Sequence, residues 1–318
     1  MDVIRARIAC ALTTGLTTPV TAVARVRGAG YGVRMPSDQG TFTLGHSPDP
    51  DDAFMFYAMA ENKIDLRGYR FEHRLEDIQT LNERALRGEL HISAVSIHAY
   101  AYVSDKYALL PCGASMGDGY GPIVIGKIQN AKSEIRNGLR NCLIAIPGKM
   151  TSAFLALRLY LGEFKYVVVP FDQIFEAVRS GRADVGLIIH EGQLTYARAG
   201  FEKIVDLGEW WKGETGLPLP LGGNVVRKDI PLPVRRDILE ITRESVDYGL
   251  AHRKEAVRHS MPYARDMDTA LAGEFIGMYV NDFTRDYGET GRVAIRKFLG
   301  DARRAGYIDN EPEIEFVQ

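Results

Sequence analysis

An α/β fold with two lobes and a cleft between them is the fold class that this sequence predicts. Strand-like and helix-like segments alternate after residue 40, which is typical of a sheet with crossover helices. A second cycle of the same kind begins near residue 125. A stretch rich in Pro and Gly, residues 217–223, then leads into a return strand at 224–227. The middle segment is therefore predicted to be inserted into the first lobe, with two chain crossings that form a hinge.

In the first lobe, short apolar runs bounded by turn residues predict strands, and apolar residues that share one side predict helices. The loop 47–52 precedes the first helix and offers an aspartate to cap it. The predicted strands are 41–45, 69–75 and 91–95, with extended segments at 108–111 and 122–125, and the predicted helices are 53–60, 78–87 and 97–103.

In the second lobe the same signals repeat. The run 184–189 is almost unbroken in its apolar character, which suits a strand buried on both faces of a parallel sheet. The predicted strands are 142–146, 166–169 and 184–189, the predicted helices are 151–161 and 174–179, and residues 231–306 are mostly helical. The predicted limits are 41–124 with 224–318 for lobe 1 and 125–223 for lobe 2.

Composition excludes several classes of protein. The length of 318 residues fits two ordinary domains or one large one, and the hydrophobic and charged fractions, 46% and 25%, are typical of a globular protein. A net charge of −2 lacks the basic footprint of a nucleic-acid binder, and no apolar run is long enough for a membrane span. The three cysteines are too far apart for a disulfide framework or a zinc site. We expect a cytoplasmic protein without nucleic-acid or membrane partners.

Residues 1–40 differ from the rest of the chain. They are rich in Ala, Val, Thr and Arg and almost free of acidic residues up to Gly32. We expect a disordered extension, or an upstream start codon with initiation at Met35. A weak secretory signal is the alternative.

His190 is the first candidate for chemistry. It follows the predicted strand 184–189 directly, and ligands of open α/β sheets bind beyond the carboxyl ends of the strands. An imidazole titrates near neutral pH, so it can accept and return a proton. The structural alternative is a histidine that caps the strand, and position alone does not separate the two.

Hydroxyl side chains at two predicted helix starts form the second group of candidates. Ser96 lies between a strand and a helix in lobe 1, and Thr151 and Ser152 lie at such a junction in lobe 2. A helix start with free N–H groups can hold an anion, and a substrate carboxylate would fit there. Ordinary N-capping is the simpler interpretation of each site. Two such sites that face each other across a cleft are a more specific indication of a site for an anionic ligand than either site alone.

The acidic loop that contains Asp51 and Asp52 is the third candidate. Counted from Asp49, the glycine position of a calcium-binding EF-hand holds Phe54 and the closing glutamate position holds Ala60. We therefore expect no metal here. Contact with a substrate hydroxyl is the functional interpretation, and helix capping is the structural one.

Several motifs together resemble one family. The sequence is similar to the 1,4-dihydroxy-6-naphthoate synthases of the futalosine route to menaquinone, from about residue 41 to the C-terminal region. The motifs are the segment 45–54, Leu75-Glu76-Asp77 with Thr80-Leu81-Asn82, Pro147-Gly148 with Thr151-Ser152, the segment Gly186-Leu187-Ile188-Ile189-His190-Glu191, and the long segment 205–222.

The resemblance implies a type II periplasmic-binding-protein fold and a lyase that converts cyclic dehypoxanthine futalosine to 1,4-dihydroxy-6-naphthoate. It implies no metal or organic cofactor, a base at His190, and a substrate site that includes Ser96, Thr151 and Ser152. The sequence departs from the family at 48–52, where Pro-Cys-Pro-Asn-Asp is usual, and at Ala94, where a lysine can occur.

Two other functions stay open at this point. One is the chorismate dehydratase of the same pathway, which shares the fold, although the Trp210-Trp211 to Pro220 segment points away from it. The other is a non-catalytic solute-binding protein. For either enzyme the expected partner is a small-molecule carboxylate substrate. Assembly as a homodimer is left open.

Overall fold

Two sheets form the framework of the chain, which a computed structural model describes at residues 40–127, 135–265 and 267–318. The expectations for residues 1–39 lie outside the described residues. The strands are β1 Thr41–His46, β2 Arg70–Leu75, β3 Ile92–Ser96, β4 Tyr107–Leu109, β5 Ser115–Gly117, β6 Ile123–Gly126, β7 Leu143–Ile146, β8 Lys165–Val168, β9 Val185–Ile188, β10 Glu202–Asp206 and β11 Leu219–Arg227.

The order of the strands shows how the chain moves between the sheets. The first sheet has the order β2-β1-β3-β11-β4, with β5 paired to β11, and the second has the order β10-β6-β9-β7-β8. Strands β1, β2 and β3 are parallel, as are β7, β8 and β9, whereas β11, β6 and β10 run antiparallel to their neighbours. The chain leaves the first sheet between β5 and β6 and returns between β10 and β11.

Helices connect and cover the sheets. They are α1 Pro50–Met55, α2 Tyr57–Ala60, α3 Ile78–Arg87, α4 Ile97–Tyr100, α5 Ile135–Arg140, α6 Ser152–Leu161, α7 Ile174–Arg179, α8 Gly192–Thr195, α9 Leu207–Thr215, α10 Leu232–Ala251, α11 Arg253–Ser260, α12 Thr269–Tyr279, α13 Asp282–Arg285 and α14 Gly288–Arg304. Among the helices of the described part, none is long and apolar enough to cross a membrane.

Helix α3 shows why the local sequence predicts an element well. Asp77 caps it by accepting from the backbone N–H groups of Gln79 and Thr80, and Gly88 ends it with a left-handed φ of 70°. Leu81 and Ala85 are fully buried on its inner side. The predicted range 78–87 is confirmed.

Several predicted boundaries were wrong. The first helix begins at Pro50, inside the predicted loop, because a proline at the first helical position needs no N–H partner. Asp49 precedes it but makes no side-chain cap bond, and Phe56 separates α1 from α2. The predicted crossing 217–223 is mostly strand, because Gly222 and Gly223 pair with Ser96 and Val95 of β3. Strands β5 and β10 and helices α5, α8 and α9 were not predicted.

One hydrophobic cluster joins the two sheets. It contains Val95 and Leu109 from the first sheet and Ile144 and Val185 from the second, all fully buried, and Phe298 of α14 packs with them. The apolar area that these side chains remove from water stabilises both sheets together. The shared cluster therefore keeps the strand ends of the two sheets close to each other.

Candidate active site

A cavity lies where strand ends of the two sheets meet. It encloses about 800 Å³, its open mouth included, which suits a small-molecule ligand. Five of the six predicted site residues line it: Asp51, Asp52, Ser96, Thr151 and Ser152. Further lining residues include Ser47, Ser115, Gln193, Asn224, Phe275 and Tyr279.

Ser96 is fixed at the end of β3 by an amide of α3. The backbone N–H of Ser96 donates to Asn82 Oδ1 at 2.8 Å, and Asn82 Nδ2 lies 3.0 Å from the Ser96 hydroxyl oxygen. Asn82 is fully buried and also reaches the Met150 carbonyl oxygen at 3.5 Å. One side chain thus sets the position of Ser96 and contacts the segment that follows β7.

Thr151 and Ser152 use their hydroxyls within the protein. The Thr151 hydroxyl accepts from the Phe154 N–H at 3.1 Å, which is an N-cap bond, and donates to the Gly148 carbonyl at 3.0 Å. The Ser152 hydroxyl donates to the Leu221 carbonyl at 2.6 Å and accepts from the His98 N–H at 3.1 Å. These bonds orient the start of α6 toward the cavity and tie it to the first sheet.

The acidic segment places two carboxyl groups in the wall of the cavity. Asp52 Oδ2 accepts from the Ser47 N–H at 2.6 Å, and Asp49 accepts from the Ser47 hydroxyl at 2.6 Å. Burial, followed by the negative charge of Asp49, raises the pKa of Asp51 to about 7. Burial and the charge of Asp51 raise the pKa of Asp52 well above its usual range. Asp51 can therefore carry a proton near neutral pH and donate a hydrogen bond.

His190 is buried just beyond β9, beside the cavity rather than in its lining. Its Nδ1 accepts from the Gly192 N–H at 3.0 Å, so the neutral ring carries its proton on Nε2. Within the described residues, Nε2 has no hydrogen-bond partner. The edges of Phe171 and Phe175 pack around the ring, with centroid distances of 5.7 and 6.0 Å. This environment keeps water from the imidazole.

Glu191 and Arg265 complete the surroundings of His190. Glu191 Oε2 lies 3.6 Å from His190 Nδ1, and Arg265 Nη1 lies 3.5 Å from Glu191 Oε1 and 3.1 Å from Asp49 Oδ1. Burial raises the pKa of Glu191, but the contacts with His190 and the charge of Arg265 outweigh it, so the pKa is lowered overall. Arg265 thus links the acidic segment of the first lobe to the carboxylate beside the imidazole.

The described residues contain no group of three or more His, Cys, Asp or Glu side chains placed to hold a metal ion. What the site offers is buried carboxyl groups, hydroxyls, two side-chain amides and one imidazole. These groups can transfer protons and hold a polar organic molecule.

A family profile described as menaquinone biosynthesis matches residues 42–304. The chain belongs to this menaquinone biosynthesis family. Two relatives carry the name 1,4-dihydroxy-6-naphtoate synthase. The Thermus thermophilus protein is 38% identical over 274 residues, covering 86% of this chain and 98% of the relative. The Streptomyces coelicolor protein is 37% identical over 274 residues, covering 84% and 95%.

Solved structures confirm the fold of this menaquinone biosynthesis family member. A crystal structure of an Archaeoglobus fulgidus protein superposes with a TM-score of 0.80 at 42% identity, covering 85% of this chain and 99% of the other. The alkanesulfonate-binding protein SsuA of Xanthomonas axonopodis gives 0.67 at 8% identity, covering 86% and 96%. A Candida albicans protein described as having the generic periplasmic binding protein fold gives 0.65 at 13%, covering 85% and 91%. The predicted periplasmic-binding-protein fold is confirmed.

Sequence reasoning missed four side chains of this site. Asn82 stands in a motif that the resemblance used, but nothing local indicates that it binds Ser96. Gln193 and Tyr279 come from α8 and α12, and Arg265 follows α11. An arginine or a tyrosine in a helical region carries no local signal of a cleft. The roles of Gln193, Tyr279 and Arg265 follow only from the fold, which brings together residues 74 to 217 positions apart.

Proposed function

We propose that this chain is a carbon–carbon lyase of menaquinone biosynthesis that converts cyclic dehypoxanthine futalosine to 1,4-dihydroxy-6-naphthoate. The observation that carries the proposal is the 38% identity to the Thermus synthase over 98% of that protein's length. A buried imidazole beside a cavity of ligand size is consistent with that chemistry.

The carboxylate of the substrate is assigned to the start of α6. The first N–H groups of a helix have no partner within the helix, and their dipoles favour an anion. Thr151 and Ser152 hold this helix start at the cavity wall, and the Ser96 junction faces the same cavity. Because Ala94 supplies no charge, neutral donors carry this contact.

The base is assigned to His190. To remove a proton from the substrate, the ring must present an unshared electron pair at Nε2, which requires the proton to sit on Nδ1. Two groups compete for Nδ1: the Gly192 N–H donates to it, while the Glu191 carboxylate, 3.6 Å away, favours a proton on it. Approach of Glu191 therefore converts the resting tautomer into the basic one. Glu191 acts in this scheme as a positioning residue.

The chemical step then follows from charge. His190 takes a proton from the substrate, and the electron pair left behind drives the cleavage of a C–C bond. Formation of the aromatic naphthoate supplies much of the driving force. Asp51 and Asp52 hold substrate hydroxyls, and when Asp51 carries a proton its carboxyl group can both donate and accept. A positioned base of this kind contributes roughly 10²–10⁴-fold in rate.

The test is incubation of the purified protein with cyclic dehypoxanthine futalosine, with chromatography to detect naphthoate. We expect naphthoate from the wild type and a roughly 10²–10⁴-fold lower turnover from His190→Gln. The exposed His252 offers a matched control, and His252→Gln should keep full turnover. Absence of naphthoate with the wild type contradicts the proposal, and release of 3-enolpyruvylbenzoate from chorismate would assign the sister activity instead.

A further inference from the structure

Gln193 lines the cavity and carries a buried hydrogen-bond donor that has no partner among the described residues. It lies in α8, three residues after His190, and only 7% of its surface is exposed. Its Oε1 accepts from the Tyr279 hydroxyl at 2.6 Å. Its Nε2 has no partner among the residues that the structure describes. The side chain lines the cavity.

The orientation of this amide is fixed on both sides. The Gln193 backbone N–H donates to the His190 carbonyl at 2.9 Å. Tyr279 is itself buried and packs edge-on against Phe275 and Tyr120, with centroid distances of 5.3 and 5.9 Å. Because the tyrosine hydroxyl takes the oxygen of the amide, the nitrogen is the end that stays free.

An unsatisfied buried N–H group is unfavourable, and native proteins rarely keep one without a functional reason. Here the side chain that carries the free donor lines a cavity of ligand size, so an acceptor atom of the ligand is the simplest partner. The amide nitrogen carries two hydrogens and no electron pair, so it selects for an oxygen that accepts.

The surroundings indicate which kind of oxygen this is. Asp51 lines the same cavity, and Glu191 precedes Gln193 by two residues. Burial raises the pKa of Tyr279, and the charge of Asp51, which lines the same cavity, adds to that rise. A ligand carboxylate has no proton to donate to Asp51, and the negative charge of Glu191, which also acts on Asp51, disfavours it. A hydroxyl oxygen is not disfavoured in this way, because it can accept from Gln193 while donating to Asp51.

We propose that Gln193, held by Tyr279, recognises a hydroxyl oxygen of the substrate at the wall of the cavity that also carries Asp51. Gln193 is then a specificity-determining residue, and Tyr279 is a positioning residue that acts through it. The inference rests on the proposed function for the identity of the substrate.

Two substitutions of Gln193 separate recognition from structure. Gln193→Met keeps the length of the side chain and removes the donor, so KM should rise roughly 3–10-fold with a smaller change in kcat. Gln193→Glu keeps the acceptor for Tyr279 but replaces the donor with a carboxylate, so kcat/KM should fall about 100-fold at pH 8. As the pH falls toward 5, the introduced carboxyl group is protonated and regains a donor. The loss in kcat/KM, measured against the wild type at the same pH, should therefore become smaller in Gln193→Glu and in no other variant.

Tyr279→Phe and a surface control complete the set. Tyr279→Phe frees the amide to rotate, so KM should rise by about half as much, on a logarithmic scale, as in Gln193→Met. Gln173 is exposed and outside the cavity lining, and Gln173→Met and Gln173→Glu should leave KM and its pH dependence unchanged. Circular dichroism establishes that each variant is folded.

The outcomes are distinct from those of the proposed function. If the wild type forms naphthoate and Gln193→Met keeps the wild-type KM, or Gln193→Glu shows no recovery at low pH, the inference is overturned. If the wild type forms no naphthoate, the proposed function fails. Calorimetric titration with the same substrate then decides the inference, because equal Kd values for wild type and Gln193→Met, or no measurable binding, overturn it.

Discussion

Replacement of Asn82 by leucine removes the amide that positions Ser96 while nearly keeping the volume of the side chain. Three hydrogen bonds are lost: those with the Ser96 N–H at 2.8 Å and the Ser96 hydroxyl at 3.0 Å, which contribute about 1 kcal/mol each, and a long one with the Met150 carbonyl at 3.5 Å. The Ser96 N–H is left buried without an acceptor, which adds about 1–3 kcal/mol. We expect the free energy of unfolding to fall by about 3 kcal/mol or more, and Tm by about 6–12 °C.

Urea denaturation followed by circular dichroism and by tryptophan fluorescence measures this change. The midpoint should fall while the slope m stays constant, since the folded core is unchanged. Asn310 is exposed, and Asn310→Leu is the matched control, with an expected change within about 0.5 kcal/mol. A loss below about 1 kcal/mol in Asn82→Leu would show that the two bonds do not carry the position of Ser96.

Three further outcomes follow from the same structure. The folded-state pKa of Asp51, about 7, lies above its ordinary value of 3.8, so this group lowers the free energy of unfolding as the pH rises from about 4 to about 7. Asp51→Asn should remove that fall, which urea titrations at pH 4.5 and 8 measure. An unchanged pH dependence in the variant would refute the assignment. Arg265→Met should change the free energy of unfolding by less than about 1 kcal/mol, because the arginine is partly exposed. It should nevertheless raise the pKa of Glu191 and so move the acid limb of the pH profile of kcat/KM to higher pH. An acid limb that stays in place would contradict the electrostatic contact between Arg265 and Glu191. Gly208→Ala should lower the free energy of unfolding by about 3 kcal/mol, and Tm with it, because the added Cβ would lie 1.9 Å from the Tyr120 carbonyl oxygen. A wild-type Tm in this variant would show that the backbone can move.

Local chemistry accounts for the elements that the sequence predicted well. Helix α3 has a capping aspartate, an apolar side and a terminal glycine, so each level of the sequence agrees with the others. Strand β11 shows the opposite case. Pro220, Gly222 and Gly223 favour turns, yet pairing with β3 and β5 on either side holds them in a strand. Tertiary pairing overrides local preference there, and no window of sequence contains its partners.

The candidate site divides in the same way. Residues at strand and helix ends, such as Ser96 and Thr151, could be predicted because strand ends of an open sheet meet at one edge. Two of the hydrogen-bond partners could not: the Asn82 amide that holds Ser96 lies in another helix, and the Leu221 carbonyl that holds Ser152 lies 69 positions away in the chain. Thr151 also shows that one hydroxyl can serve both interpretations: it caps α6 as a structural residue would, and it lines the cavity.

The hydrogen bonds that join the two halves of the chain around the cavity have a consequence for ligand entry. They include Met150 N–H to Gln79, Ser152 to Leu221, and Tyr279 to Gln193. Separating the two halves exchanges these bonds for bonds to water, at a net free energy of about 1 kcal/mol each. With about 3 kcal/mol in total, roughly one molecule in 150 has all three bonds broken at any moment. We therefore expect the two halves to separate only rarely, so that a substrate enters through the mouth that the cavity already has.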